Sequence, residues 1–189
     1  MRIRMKLMSD TIFGNGMSVP GGEDISVLHD VQGFPYYRGS TFKGVFREML
    51  IRYLEWNGVE KSKAEETVKE LLGVSDEDRM DNGKLVFSDF CIAKSVRSRV
   101  LKEIGNDPAA VLDVFTHLRT FTAMGENGTA KKGSLRTARC VNKGITLEAE
   151  IIGEDRHKKL IGEVLSMIKW VGTMRTRGFG KVQIEIKED

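Results

Sequence analysis

Cysteine and long apolar runs are both scarce in this chain. The two cysteines, Cys91 and Cys140, are 49 positions apart, and no CxxC or HxxxH spacing lies near them. This spacing argues against a disulfide framework or a structural zinc site, and it leads us to expect a reducing, cytoplasmic location. The apolar runs are only a few residues long, and the first residues, MRIRMKL, alternate charged and apolar side chains. These patterns exclude a transmembrane helix, a cleavable signal peptide and a membrane partner.

Aromatic residues make up only 7% of the 189 residues, whereas apolar residues reach 40% and charged residues 30%. That composition excludes a disordered chain and is sufficient for the core of one domain of ordinary size. No internal repeat, low-complexity tract or linker divides the sequence. We therefore expect a single domain over residues 1–189.

Basic residues are concentrated in three glycine-containing segments. Residues 34–47, 117–143 and 169–181 together carry 13 Lys or Arg and a single acid, Glu126, for a net charge of +12. The other 135 residues carry a net charge of −9. Because an ordinary solvated surface intersperses charges of both signs, this separation favours contact with a polyanion, and we expect a nucleic acid.

The periodicity of apolar residues predicts an α+β domain. The predicted elements are, in chain order, a strand at 2–8, a helix from Ser40 or Thr41 to Asn57, a short helix at 60–72, a strand at 84–93, a helical stretch from Asp107 to Leu118, a hairpin with arms at 135–141 and 145–151 that turns at Asn142-Lys143-Gly144, a helix at 156–171 and a strand at 181–187. Without the insertions, this order is the βαββαβ pattern of the ferredoxin-like fold, the architecture of RNA-recognition domains.

The segment GTMRTRGFGKV, at residues 172–182, is the clearest candidate for phosphate binding. Its glycines, which include Gly178 and Gly180, permit positive φ angles and a close approach of the backbone, and Arg175 and Arg177 add charge. Such a loop offers amide hydrogens and guanidinium groups to a phosphate chain. Within it, Phe179 is the one aromatic residue that we expect to be exposed.

A second candidate lies at the start of the first predicted helix, in the string RGSTFKGVFR. Ser40 or Thr41 is expected to cap the helix, whose unpaired amides then form an anion site with Lys43 and Arg47 one turn apart. No Lys-Ser or Lys-Thr pair follows at the spacing of a P-loop, which argues against a nucleoside triphosphatase.

These motifs resemble the RAMP superfamily of CRISPR effector subunits, and most closely the backbone subunit of type III complexes. The first family motif is matched here by Gly39, Ser40, Thr41, Phe42, Lys43, Gly44 and Arg47, with Arg38 where the family usually has proline. The second is the C-terminal glycine-rich loop at 172–180. The third is a basic segment at about 119–144, similar to the family's protruding thumb hairpin. The resemblance spans nearly the whole chain.

The resemblance implies a subunit that polymerises along a CRISPR guide RNA, beside other type III effector subunits, with the thumb of each copy reaching the next copy. Partners are then the guide RNA, the single-stranded target RNA and further copies of the chain. The residues that would contact RNA are Arg38, Gly39, Ser40, Thr41, Lys43, Arg47, Arg119, Lys131, Lys132, Arg136, Arg175, Arg177, Gly178, Phe179 and Gly180. Phosphate contacts would hold the RNA, while base pairing to the guide would supply specificity.

The glycine-rich early loop at 9–38 carries the acids that the resemblance connects with target cleavage. In type III backbone subunits, a catalytic aspartate precedes a second aspartate by six positions, and Asp24 and Asp30 have that spacing. The match assigns catalysis to Asp24, which would also bind a divalent metal, Mg²⁺ or Mn²⁺, weakly. Asp30 is expected to fasten the loop. Glu23 either shares the metal or is solvated.

Three other interpretations remain open at this point. The chain could be a non-catalytic, structural guide-binding subunit in which Asp24 is inert, or a stand-alone regulatory RNA-binding protein. It could also be a guide-processing endoribonuclease that uses His29, His117 or His157 as a general base, although such enzymes usually contain two ferredoxin-like folds.

Trp56 and Trp170 are expected to pack against the core.

Overall fold

A computed structural model describes residues 1–14, 16, 22–74 and 83–187. It contains seven strands and five helices within those residues. The strands are β1 (Arg2–Leu7), β2 (Val86–Phe87), β3 (Cys91–Ile92), β4 (Thr116–Phe121), β5 (Arg136–Val141), β6 (Thr146–Ile152) and β7 (Val182–Ile186). The helices are α1 (Gly39–Trp56), α2 (Lys61–Leu72), α3 (Lys94–Ile104), α4 (Pro108–Phe115) and α5 (Lys158–Met167), and short 3₁₀ turns lie at Asp155–His157 and Arg175–Arg177.

The main sheet has the order β2–β6–β1–β7, and β3 also pairs with β6. All of these pairings are antiparallel. If β2 and β3 are taken as one interrupted strand, the sheet has the strand order of a ferredoxin-like fold, and α1 and α5 are its two crossover helices. The predicted ferredoxin-like fold is therefore confirmed.

The core lies between this sheet and the two crossover helices. In β1, Ile3, Met5 and Leu7 are fully buried while the residues between them are exposed or nearly so. From α1, Phe42 and Phe46 project into the same core, since positions four apart share one face of a helix. Each fully buried side chain of this size contributes roughly 2–3 kcal/mol by leaving water. The apolar residues whose alternation predicted β1 and whose helical spacing predicted α1 are thus the buried ones.

A two-stranded antiparallel ribbon, formed by β4 and β5, replaces the hairpin predicted from residues 135–151. Its register runs from the pair Thr116 and Val141 to the pair Phe121 and Arg136. Instead of pairing with β5, β6 lies in the main sheet beside β1. The predicted turn is present, and Gly144 has the positive φ of +88°, but it carries the chain from the ribbon to the sheet. The predicted hairpin pairing was therefore wrong.

Two helices differ from the prediction. Asp107 accepts a hydrogen bond from the amide of Ala109 (3.1 Å) and caps α4, as its position before proline suggests. However, α4 ends at Phe115, and the residues up to Leu118, predicted as helical, belong to β4. The helix α3 was not predicted, because it has no buried residue and its apolar positions are diluted by charge. None of the described helices is long and apolar enough to cross a membrane.

Both tryptophans were expected to pack against the core, and both are more exposed than that. Trp56 ends α1 with 69% of its surface exposed, and Trp170 is 38% exposed. Trp170 also lies beyond α5, in a bridge with Lys181, so that its predicted helical position was wrong.

Candidate nucleic-acid interface

The first basic motif begins where α1 meets the break between β2 and β3. The amide of Gly39 donates to the Asp89 carboxylate (2.8 Å), and no side chain of α1 caps the helix. A Cβ on Gly39 would lie 2.4 Å from the carbonyl oxygen of Phe87, so only glycine fits this approach. The predicted cap by Ser40 or Thr41 was therefore wrong, because a carboxylate 50 residues away takes that place.

The motif then divides between two sides of α1. Thr41 lines a cavity of about 240 Å³ together with residues of the C-terminal loop, whereas Ser40 and Lys43 line a separate cavity of about 290 Å³ beside β2. Arg47 donates through Nη2 to the carbonyls of Leu72 (3.2 Å) and Gly73 (3.1 Å). Its guanidinium thus closes the C-terminal end of α2, while Arg38 is exposed just before α1.

The C-terminal loop is shaped by close backbone contacts. Gly180 has a φ of +78°, and a Cβ there would lie 1.9 Å from the carbonyl oxygen of Val171. Gly178 also has a positive φ, of +86°, but an added Cβ would meet nothing within 4 Å. Arg175 and Arg177 lie exposed in a 3₁₀ turn that precedes these two glycines. The backbone conformation therefore holds both guanidinium groups at the surface.

A buried tyrosine joins this loop to the first motif. Tyr37, only 3% exposed, stacks on Phe13 with 4.7 Å between ring centroids and lines the 240 Å³ cavity with Thr41 and Arg175. Burial raises the pKa of Tyr37 to about 12, although a hydrogen bond with the Gly172 backbone and the charge of Arg175 act against the rise. Tyr37 stays a neutral phenol at physiological pH. No sequence pattern predicts that Tyr37 joins the two motifs, apart from the position of a tyrosine just before Gly39 and Ser40.

Phe179 was expected to be exposed and is buried, with 5% of its surface accessible. Its ring meets Phe121 of the ribbon edge to face, with centroids 5.5 Å apart, and the Arg119 guanidinium lies 5.2 Å from its centroid. Glycines on both sides of Phe179 suggested an open loop, but the ribbon, which lies some 60 residues earlier in sequence, covers it. Phe179 therefore connects the loop to the ribbon, and stacking on an RNA base is not open to it in this conformation.

The ribbon carries basic side chains along its length and at its tip. Lys131, Lys132 and Arg136 are exposed. At the tip, Ser134 fixes the turn, since its hydroxyl lies 3.0 Å from that of Thr122 and donates to the Lys131 carbonyl (2.7 Å). The cations are thus presented on an ordered connection.

Arg139 of the ribbon forms salt bridges within the chain. Arg139 donates to Glu23 (2.8 Å), to Asp113 (2.6 Å) and to the Thr116 hydroxyl (3.0 Å). Desolvation acts to lower the pKa of Arg139, but the two carboxylates outweigh it and raise the pKa. Glu23 is consequently engaged by a ribbon cation and is not solvated.

The early loop places Asp24 against the ribbon. The Asp24 amide donates to the carbonyl of Thr137 (2.8 Å), and the Asp24 Oδ2 accepts from the amide of Thr137 (2.7 Å). Ile25 forms a parallel bridge to Ala138. Asp24 is exposed, and its Oδ1 has no hydrogen-bond partner among the described residues. Residues 15 and 17–21 of the predicted loop at 9–38 lie outside the described part of the chain.

Asp30, expected to fasten the loop, has contacts of that kind. Its Oδ1 accepts from the amides of Gln32 (2.9 Å) and Phe34 (3.1 Å), and its Oδ2 pairs with Arg97 of α3 (2.6 Å). The Arg97 guanidinium lies 4.2 Å from the Phe34 ring centroid. These contacts attach the loop to α3 and leave Asp30 committed to structure.

Metal binding at Asp24 depends on one oxygen. In the described part of the chain, no three His, Cys, Asp or Glu side chains lie together in a way that could hold a metal ion. Asp24 Oδ1 fits a single ligand position of Mg²⁺ or Mn²⁺. Magnesium commonly takes one or two carboxylates and completes its shell with phosphate and water, so Asp24 is compatible with an ion brought by RNA.

The structure thus brings two of the three basic segments into direct contact and joins them to the third. The ribbon meets the C-terminal loop at Phe179, and the loop shares a cavity with Thr41 at the start of α1. Ser40, Lys43 and Arg47 lie on the other side of α1. Within the three basic segments, several exposed cations form no salt bridge with any described acid: Arg38, Lys131, Lys132, Arg136, Lys143, Lys169, Arg175, Arg177 and Lys181.

The family of the chain follows from its match to a family model. The family model described as the RAMP superfamily matches residues 4–183. The chain belongs to the RAMP superfamily. That match covers all of the secondary structure of this RAMP protein except its outermost residues, and it confirms the superfamily that the motifs resembled. A comparison with curated protein sequences gives no significant match.

Solved structures confirm the fold of this RAMP protein. It is similar to a chain in the cryo-EM structure of the type III-B Cmr-beta complex bound to cognate target RNA, with a TM-score of 0.68 and 12% identity over 97% of this chain and 95% of that chain. It is also similar to a chain of the type III-B Cmr-beta complex in the apo state, with a TM-score of 0.70 and 12% identity over 100% and 97%. At this identity the likeness establishes the fold.

Proposed function

We propose that this RAMP protein is a subunit of a type III CRISPR effector complex that binds guide RNA along its sugar-phosphate backbone. The observation that carries the proposal is the contact between Phe179 and Phe121, which joins the loop that carries Arg175 and Arg177 to the ribbon, a second element with exposed cations. Membership of the RAMP superfamily and the type III-B structures of the same fold support it.

The chemistry of these residues suits phosphate more than bases. Lys131, Lys132 and Arg136 form no salt bridge with a described acid, and the C-terminal loop adds two guanidinium groups on a 3₁₀ turn. The one aromatic ring of that loop is occupied by the ribbon. A surface of this kind holds RNA by charge and leaves sequence recognition to base pairing.

The ribbon also fits a role in polymerisation. Besides its cations, it exposes Leu118 (52%), Met124 (60%) and Leu135 (69%). Apolar side chains on a projecting ribbon favour burial against another surface, and we propose that this surface is a neighbouring copy on the guide. With a guide long enough for several copies, size-exclusion chromatography should give a ladder of complexes. A single small complex on every guide length would contradict polymerisation and leave guide binding intact.

We further propose that Asp24 takes part in cleavage of target RNA paired to the guide. Its exposed Oδ1 could hold a divalent ion, which when bound would stabilise charge at the scissile phosphate. The contact with Thr137 fixes the position of the carboxylate at the edge of the ribbon. The chain itself would therefore contribute one oriented oxygen.

The test assembles the protein on a guide RNA, adds a labelled complementary target with Mg²⁺ or Mn²⁺, and resolves the products on a denaturing gel. Asp24→Asn keeps an oxygen that can accept from Thr137 but removes the charge, whereas Asp24→Ala removes both. If Asp24 is catalytic, wild type gives evenly spaced products and both variants bind target without cutting it. Cleavage by Asp24→Asn and not by Asp24→Ala would show that the residue only positions the ribbon.

A second candidate function is a structural guide-binding subunit with no cleavage activity. The observation that favours it is the hydrogen bond from the Thr137 amide to Asp24 Oδ2, since this structural contact by itself accounts for a carboxylate at this position. If wild type binds guide and target and leaves the target whole with either metal, this second function is the correct one, and any cleavage in the complex belongs to another subunit.

A further inference from the structure

Asp10 lies where the end of β1, the root of the ribbon and the C-terminal loop meet. Its backbone carbonyl accepts from the amide of Gly180 (2.9 Å). Its Oδ1 accepts from the amide of Lys143, in the turn that follows β5 (3.1 Å), and its Oδ2 lies 3.2 Å from Arg119 Nη1 on β4. The same Oδ2 lies 3.5 Å from His117 Nε2. One residue thus contacts β4, the turn that follows β5 and the C-terminal loop.

The neighbouring residues reinforce this junction without duplicating it. Ser9 accepts through its hydroxyl from the amide of Lys181 (2.9 Å), and Thr11 exchanges backbone hydrogen bonds with Val141 (3.0 and 2.8 Å). These contacts attach the chain to the loop and to β5. Among the described residues, only Asp10 offers a carboxylate to Arg119, whose guanidinium also lies over the Phe179 ring.

We infer that Asp10 is a positioning residue for guide RNA: its carboxylate fixes Arg119 and the ribbon over the C-terminal loop. The inference rests on the proposed guide binding. Through Arg119, the carboxylate sets where the cations of the ribbon stand relative to Arg175 and Arg177. The side chain of Asp10 is 20% exposed and that of Arg119 is 50% exposed, so the contact is shielded on one side only and Arg119 remains accessible.

Simple electrostatics and positioning make opposite predictions for Asp10. Removal of a carboxylate from a basic surface raises the local charge by one unit and, by long-range attraction alone, strengthens the binding of a polyanion. If Asp10 instead positions the ribbon, its removal weakens RNA binding despite the added positive charge. The sign of the change in affinity therefore separates the two.

The decisive variant is Asp10→Asn. It keeps an oxygen for the Lys143 amide, but it loses the charge that pairs with Arg119. We expect guide RNA to bind about fivefold more weakly, the effect of losing one partly exposed ion pair. The matched control is Glu126→Gln, which removes one negative charge from the tip of the same ribbon, where Glu126 forms no salt bridge with a described residue, and which should bind guide as tightly as wild type or more tightly.

A double-variant cycle shows whether Asp10 acts through Arg119. In an Arg119→Gln background, Asp10→Asn should cause no further loss of affinity, since the pair is already broken. Independent, additive losses would overturn this part of the inference. Equal or tighter guide binding by Asp10→Asn alone would overturn it entirely.

Hydrogen exchange tests the same contact without RNA, so that failure of the inference and failure of the proposed function are distinguishable. In Asp10→Asn, amides of β4 and of residues 172–181 should exchange at least about fivefold faster than in wild type, and amides of α1 should not change. Unchanged exchange at the ribbon would overturn the positioning role. If wild type binds no RNA but the ribbon exchanges faster in the variant, guide binding fails and the junction stands as a structural contact only.

Discussion

The outer face of the main sheet and the surface formed by the ribbon tip and the C-terminal loop both carry cations, but most cations of the sheet face form salt bridges, whereas those of the tip and loop do not form one with a described acid. On the sheet, Arg2 pairs with Glu150 (3.1 Å), and Glu148 receives both Arg4 (3.0 Å) and Lys187 (3.4 Å). On the other surface, the exposed lysines and arginines of the tip and loop form no salt bridge with a described acid. The availability of a surface for an anion therefore depends less on its number of cations than on whether those cations form salt bridges.

This difference identifies which surface is suited to RNA. Many RNA-recognition domains of this topology stack bases on aromatic residues of the sheet, but the exposed residues of β1 are the cations Arg2, Arg4 and Lys6. Two of these, Arg2 and Arg4, pair with acids of the neighbouring strand β6. A paired cation must lose its partner before it binds phosphate. The cations of the ribbon tip and the C-terminal loop form no salt bridge with a described acid and carry no such penalty, so the RNA path should follow them.

The largest effect is expected from Gly180→Ala, which breaks the loop surface without changing charge. The new Cβ would meet the Val171 carbonyl at 1.9 Å in a backbone with positive φ, so the free energy of unfolding should fall by about 3 kcal/mol or more. Gly178→Ala is the matched control, because it has the same sign of φ and open space, and should lose only about 1 kcal/mol. Urea denaturation measures both, and equal losses would contradict the close approach at Gly180.

Next in size is the double substitution Arg175→Gln with Arg177→Gln. Because both side chains are exposed and form no salt bridge with a described acid, guide affinity should fall about tenfold or more while stability stays the same, and the slope of log K against log salt should decrease by about 1.4 for two lost phosphate contacts. The control is Arg2→Gln with Arg4→Gln on the sheet face. If the sheet variant loses as much affinity as the loop variant, the two surfaces do not differ in the way described.

Arg47→Gln should affect folding more than RNA binding. Its guanidinium donates to the last carbonyls of α2 at Leu72 and Gly73, and loss of these charged hydrogen bonds should lower the free energy of unfolding by about 1–2 kcal/mol. Arg52→Gln, an exposed position on the same helix, should change it little. A strong loss of guide affinity with unchanged stability would instead place Arg47 on the RNA path.

The smallest effect is expected from Glu148→Gln on the sheet face. Burial acts to raise the pKa of Glu148, but hydrogen bonds from Arg4 and Lys187 outweigh it and lower the pKa. The stability that this lowering supplies is present above the ordinary pKa of a glutamate and is lost as pH falls through the lower, folded-state pKa. At pH 7, the free energy of unfolding of Glu148→Gln should therefore be lower than that of wild type by no more than about 1 kcal/mol. This difference in free energy should shrink in acid.

Local patterns predicted the elements of the fold better than their partners. The spacing of Phe42, Phe46 and Leu50 is a property of one helix and was sufficient for α1. Alternation from Leu135 onward correctly indicated strands, but it holds no information about which strand lies opposite. The partner of β5 is β4, and the first residues of β4 fall within the predicted helical stretch that ends at Leu118.

The candidate site shows the same limit. The basic segments and their glycines were visible in the sequence, and so was Asp30 as a fastening residue. The burial of Phe179, the cap that Asp89 provides for α1 and the engagement of Glu23 by Arg139 all depend on residues 50 or more positions away. Such contacts decide which cations are exposed, and no local pattern reports them.

The most direct test of the account is to crosslink the assembled complex through 4-thiouridines distributed along the guide RNA and to identify the attached peptides by mass spectrometry. We predict crosslinks both in the ribbon, at residues 119–136, and in the C-terminal loop, at residues 172–180, with none on the outer face of β1 or β7. Crosslinks concentrated on that sheet face, with the ribbon and loop unmodified, would contradict the central claim that RNA follows the cations of the ribbon tip and the C-terminal loop.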